Sequence, residues 1–164
     1  MQAVEMKKKG LEPIIDSDTK ILILGSLPGD ESIKQQRYYA KPNNDFWKLI
    51  STVIREDITE LDYYAKIKKL KKYRIGLWDV LKVCERKGSS DLNIKKGEMN
   101  DFSELKQIAP NTQLICFNGK KAGNYESFFQ EEGYKTKVLP SSSGANRRDR
   151  KKRILEWKSI KPYI

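Results

Sequence analysis

The chain has 164 residues, enough for one core of ordinary size, and its 38% hydrophobic residues gather in compact runs. With 33 Lys plus Arg against 22 Asp plus Glu, the net charge of +11 favours a polyanionic partner and an affinity that falls with salt. There is no histidine, which excludes a His-based triad, imidazole acid–base chemistry and a His-bound metal.

Cys84 and Cys116 stand far apart among apolar neighbours, so both read as small core residues and no metal or cofactor is expected. No stretch approaches the roughly 18–20 apolar residues of a bilayer span. Lys7-Lys8-Lys9 is followed by no apolar segment of the secretory kind. The expectation is a cytoplasmic monomer without membrane contact, its first ten residues flexible.

In chain order, residues 21–24 form the first apolar run, a buried strand that breaks into Gly25-Ser26-Leu27-Pro28-Gly29. A long loop follows, with Tyr38-Tyr39 to stack on something flat and Asn43-Asn44 to hydrogen-bond it. Phe46, Trp47, Ile50, Val53 and Ile54 repeat at helical spacing. Leu61, Tyr64, Ile67 and Leu70 make a second helical stripe, opened by a capping box of Thr59 with Asp62. Residues 75–83 read as the next strand. Phe102, Leu105 and Ile108 give a helix ended by Pro110-Asn111, and residues 113–117 give a third strand. Ala122, Tyr125, Phe128 and Phe129 form a helix stopped near Gly133, before a fourth strand at 136–139. Ile154, Leu155, Trp157 and Ile160 close the chain.

Strands alternating with helices predict an α/β fold: a three-layer α/β/α sandwich on a short, mainly parallel sheet, one domain over 1–164. Ligands in such folds sit beyond the carboxyl ends of the strands. That selects the loops beginning at Gly25, Asn118 and Ser141, with Cys84 as a further candidate.

With those residues assembled, the chain resembles the uracil-DNA glycosylase superfamily, nearest its hypoxanthine and mismatch-specific uracil/thymine branches. The first family motif, Gly-x-Asn-Pro-Gly, reads Gly25-Ser26-Leu27-Pro28-Gly29 here. The mismatch branch's Ala-His-Pro-x-Asn-x-Phe-Trp reads Ala40-Lys41-Pro42-Asn43-Asn44-Asp45-Phe46-Trp47. Its late motif, Leu-Pro-Asn-Pro-Ser-Gly-Leu-Ser-Arg, aligns without a gap to Leu139-Pro140-Ser141-Ser142-Ser143-Gly144-Ala145-Asn146-Arg147. Three motifs in order are specific, where any one alone is weak. There are departures: Leu27 stands where relatives carry a water-positioning Asn or Asp, Lys41 where they carry His, and Ala145 where they carry a leucine wedge. In the hypoxanthine branch an asparagine of the following segment takes over catalysis, and Asn44 matches it.

The resemblance implies a monofunctional DNA glycosylase acting on double-stranded DNA with a deaminated or mismatched base, hypoxanthine first and uracil second. A catalytically inactive lesion-binding protein of the same fold is the alternative. Asn44 would orient the attacking water, although it also suits a helix N-cap. Tyr39 would stack on the flipped base, although either tyrosine of the pair could face it. Ser26 and the backbone of Leu27 would hold water or a base carbonyl, and Asn118 would read a base edge, or merely form an Asn-Gly turn. Ser141, Ser142, Ser143, Gly144, Ala145 and Asn146, with Arg147 and Arg148, would grip the phosphates. The basic run from Arg147 to Arg153 opposes the dipole at a helix start, which favours binding for part of it. Asp30 and Asp45 are the nearest carboxylates that could support positive charge on the sugar, although each also reads as a helix-start or loop acid. Trp78-Asp79 reads as structural.

Overall fold

In the computed structural model, which describes residues 7–86, 94–146 and 149–164, the chain opens with a short strand β1 (Lys7–Lys9). The flexible end expected up to Gly10 thus includes a paired strand. The core begins at β2 (Ile21–Gly25), whose Ile21, Leu22, Ile23 and Leu24 are completely buried. Burial of four such side chains, at about 1.5–3 kcal/mol each, makes this strand the axis of the fold. A first crossover carries α1 (Asp30–Gln35), α2 (Phe46–Ile54) and α3 (Tyr63–Lys72) before β3 (Ile75–Asp79). Next come β4 (Leu81–Arg86), β5 (Ile94–Met99), α4 (Leu105–Ile108) and β6 (Leu114–Asn118). The chain finishes with α5 (Lys120–Gly123), α6 (Glu126–Glu131), β7 (Lys135–Leu139), α7 (Arg150–Lys158) and a 3-10 turn at Lys161–Tyr163.

The central sheet is wholly parallel, in the order β3-β2-β6-β7. Its period-2 alternation separates two cores. Ile21 and Ile23 face α2, Leu70 of α3 and Trp157 of α7, whereas Leu22 and Leu24 face Leu105, Ala122 and Phe129 of the opposite layer. The three-layer α/β/α sandwich expected from the sequence is present. The chain leaves β2 toward one helical layer and β6 toward the other, so the crevice between those neighbours is the topological switch point, where open α/β folds bind ligands. Register sets Gly25 beside Asp79, and Asn118 beside Leu139, so the carboxyl ends finish together. Among the described residues no helix is long and apolar enough to cross a membrane.

Several expectations are corrected. The apolar run 75–83 is two strands. Val80 turns its N–H to the carbonyl of Gly25 at 2.8 Å, and β4 departs into a small antiparallel sheet, β1-β4-β5. Charged β1 and β5 carry no alternation that would reveal them. The cap of α3 is Asp62, which accepts from the Ala65 N–H at 2.9 Å, while Thr59 bonds back to Asp57. The helix expected around 122–129 is broken into α5 and α6. Tyr64 and Leu155, which share helical spacing with apolar neighbours, are 72% and 68% exposed. Cys116 is buried as expected, and its burial pushes the thiol up to about 12. The side chain of Cys84 lies outside the described residues, as do Arg147 and Arg148.

Candidate active site

The site is built where β2, β6 and β7 end. Gly25 closes β2 because a Cβ there would come within 2.7 Å of the buried Asp79 carboxylate. After β7, the loop 141–146 folds back across the end of β6 onto the segment that starts α2. Gly144 permits that approach, since a Cβ at this position would meet the Asn43 carbonyl at 2.6 Å.

Ser142 is the hub of the contact. It is fully buried, its backbone N–H donates to Asn118 Oδ1 at 2.9 Å, and its carbonyl accepts from the Asp45 N–H at 2.9 Å. Its hydroxyl accepts from Asn118 Nδ2 at 2.8 Å and donates to Asn44 Oδ1 at 2.8 Å. Asn118 Nδ2 also donates to the Tyr39 hydroxyl at 3.2 Å. One continuous chain of hydrogen bonds therefore runs from Tyr39 through Asn118 and Ser142 to Asn44. The expectation that Ser142 touches phosphate fails for this residue, because its polar atoms point inward.

Asn44 opens α2 as its helix-start reading expected. Its Oδ1 accepts the Phe46 N–H at 2.9 Å, at the start of α2, while the residue stays partly exposed at the rim of the crevice. Asp45 is buried and tied to Arg153, whose guanidinium is itself only 5% exposed. Arg153 Nη1 also donates to the carbonyls of Asn146 at 2.7 Å and Ser141 at 3.4 Å, so one side chain clasps both ends of the loop. Within the loop, Ser143 N–H donates to Ser141 Oγ at 3.1 Å, and Asn146 Nδ2 to the Ser141 carbonyl at 2.9 Å. The serine-rich segment is a bonded structure, with Ala145 exposed at its tip.

The two tyrosines divide their tasks. Tyr38 is 4% exposed and donates its hydroxyl to the Glu12 carbonyl at 2.7 Å, and burial pushes its phenol far above the ordinary range. Tyr39 is partly exposed, lies flat against Phe46 with ring centroids 3.8 Å apart, and adopts φ +53. A left-handed backbone at a bulky residue is strained and needs a surrounding structure to hold it. Phe46 and Asn118 supply that support. Ser26 is buried, its carbonyl accepting from the Leu81 N–H at 3.0 Å, and the Leu27 side chain packs into the core beside Leu22 and Leu24. Leu27 can thus offer the crevice only its backbone.

Sequence reasoning missed Arg153 as a buried clasp, since it sits in a basic run that reads as a surface. Arg150, Lys151 and Lys152 are exposed, and burial alone separates the fourth member. Among the described residues no group of three or more His, Cys, Asp or Glu side chains could hold a metal ion.

Comparison with known proteins decides the family. Residues 12–161 match the uracil DNA glycosylase superfamily. The chain belongs to that superfamily. A curated relative named hypoxanthine DNA glycosylase, from Methanosarcina acetivorans, is 54% identical over 94% of this chain and 98% of its own length. A protein of the same name from Methanosarcina barkeri is 53% identical, covering 93% of this chain and 96% of its own. The solution NMR structure of a Methanosarcina acetivorans protein, described as a candidate uracil DNA glycosylase, superposes with a TM-score of 0.88 at 54% identity. That match covers 94% of this chain and 96% of that one.

Proposed function

We propose that this chain is a monofunctional hypoxanthine-DNA glycosylase that acts on double-stranded DNA, with uracil as a weaker substrate. The observation that carries the reading is the hydrogen-bonded chain Tyr39–Asn118–Ser142–Asn44 at the switch point, in a chain more than half identical to hypoxanthine DNA glycosylases. The base leaves the stack at a cost of a few kcal/mol, least for a mismatched pair such as inosine. It slides against Tyr39, whose other face is backed by Phe46. Asn44 is the catalytic residue, because its amide is held rigidly at the rim and Leu27 offers no polar side chain in its place. Water completes the hydrolysis and leaves an abasic site. Ser141, Ser143, Ala145 and Asn146, with Arg147 and Arg148 beyond them, border the phosphates.

Single-turnover cleavage of duplexes carrying one deoxyinosine, deoxyuridine, mismatched thymine or deoxyxanthosine, developed with alkali, tests this. The expected order is deoxyinosine first and deoxyuridine second, with Asn44→Ala slower by on the order of 10²–10³. The buried, apolar Leu27 favours one second reading, a lesion-binding protein without chemistry. Retention of a lesion duplex with no alkali-labile site would establish that instead.

A further inference from the structure

The amide of Asn44 is not free to turn. Its Oδ1 accepts from the Phe46 backbone N–H, which can only donate, and from the Ser142 hydroxyl. The direction of that second bond is also fixed. Asn118 accepts the Ser142 backbone N–H through Oδ1, so Asn118 must present Nδ2 to Ser142 Oγ. The hydroxyl, accepting there, sends its own hydrogen to Asn44. A carbonyl oxygen has two lone pairs, and both are now engaged. Asn44 Nδ2, by contrast, makes no hydrogen bond among the described residues, so both of its N–H groups remain for a ligand.

A group that orients an attacking water as its base must accept a proton or a hydrogen bond. Asn44 is turned the wrong way for that. It is turned the right way to donate to a base on which negative charge develops. We propose that Ser142 is a positioning residue that locks Asn44 as a hydrogen-bond donor to the departing base, the role of the reacting amide thereby shifting from water to leaving group. This rests on the glycosylase reading above. As the C1′–N9 bond breaks, its electron pair leaves with hypoxanthine and spreads over N9, N3, N7 and O6, each an acceptor for Nδ2, whereas N1 keeps its hydrogen. A water then bonds to C1′, and its proton ends on the departed base, giving neutral hypoxanthine and an abasic sugar. Donors aimed at charge that appears only in the transition state raise the rate without tightening ground-state binding. Arg153 and Asp45 act one step back, holding the loop that carries Ser142.

The test is Asn44→Asp beside Asn44→Ala in single-turnover cleavage of a deoxyinosine duplex. Aspartate can still accept from Phe46 N–H and Ser142, so the fold is kept and thermal unfolding verifies it. What changes is the group facing the base, an acceptor oxygen in place of two N–H donors. At neutral pH Asn44→Asp is expected to be as slow as Asn44→Ala, down by on the order of 10²–10³. The two hydrogen bonds it accepts hold this carboxyl below the ordinary aspartate value, so only as pH falls below about 4 does it gain a proton and become a donor, and Asn44→Asp should then recover relative to Asn44→Ala. The charged or titratable neighbours, Tyr39, Lys41, Asp45 and Arg153, are common to both variants, so the difference isolates the new carboxyl. Ser142→Ala should lower the cleavage rate about tenfold, the worth of one hydrogen bond, with duplex affinity unchanged.

Near-normal cleavage by Asn44→Asp at neutral pH would overturn the donor assignment alone. Loss of affinity with an unchanged rate in Ser142→Ala would make Ser142 a DNA contact and overturn its positioning role. An inactive wild-type protein would instead sink the glycosylase reading itself.

Discussion

The loop after β2 and the loop after β7 meet the same crevice, yet they are built in opposite ways. The first, which carries the family's leading motif, turns a leucine into the core. The second, serine-rich with Ala145 at its tip, commits hydroxyls, amides and carbonyls to Asn118, Asn44, Asp45 and Arg153. An apolar residue and a catalytic amide are not interchangeable at one position. A fold that buries Leu27 has no polar side chain to offer there, and under the function proposed above Asn44 at the start of α2 supplies it. On that reading a motif position keeps its structural task at a strand end while its chemistry moves to a neighbouring segment.

Mutations on the two loops should separate stability from catalysis. The largest stability loss belongs to Arg153→Met, which leaves the Asp45 carboxylate buried and unmatched by its guanidinium. Urea unfolding should show a loss of about 3–5 kcal/mol. Leu27→Ala should cost about 2–4 kcal/mol by cavity formation, while the single-turnover rate of the folded protein stays within about twofold. Asn44→Ala reverses the balance: it should strike the rate by on the order of 10²–10³ and lose only about 1–2 kcal/mol with the acceptor of the Phe46 N–H. A Leu27→Ala protein that folds normally but cleaves poorly would erase the distinction.

A smaller effect sharpens the contrast among basic surfaces. Arg150, Lys151 and Lys152 adjoin the polar loop, whereas Lys68, Lys71 and Lys72 lie on α3. Replacing the first set by alanine should reduce the slope of log affinity against log salt by about 0.9 for each phosphate that is no longer neutralised. Replacing the second set should leave the slope nearly unchanged. Smallest of all is Cys116. With its thiol pushed up to about 12 by burial, almost no thiolate exists at neutral pH, and site-resolved mass spectrometry should find it unalkylated in the native protein.

Hydrophobic patterning in the sequence determined the sandwich, because residues 21–24, 114–117 and the α2 stripe bury apolar area in any compact arrangement of this chain. Local chemistry likewise marked Asn44, Tyr39, Asn118 and the serine-rich loop as one neighbourhood, since all fall at strand or helix ends. Tertiary structure alone decided what each polar group faces. Ser142 is buried and Ser143 partly exposed, Tyr38 is core and Tyr39 partly exposed, and Arg153 is buried while Arg150 is exposed. Neighbouring residues of the same type differ in these cases because burial and hydrogen-bond direction depend on partners distant in the chain, Asn118 for Ser142 and Asp45 for Arg153. The order of residues along a strand or helix carries no record of those partners until the sheet brings them together.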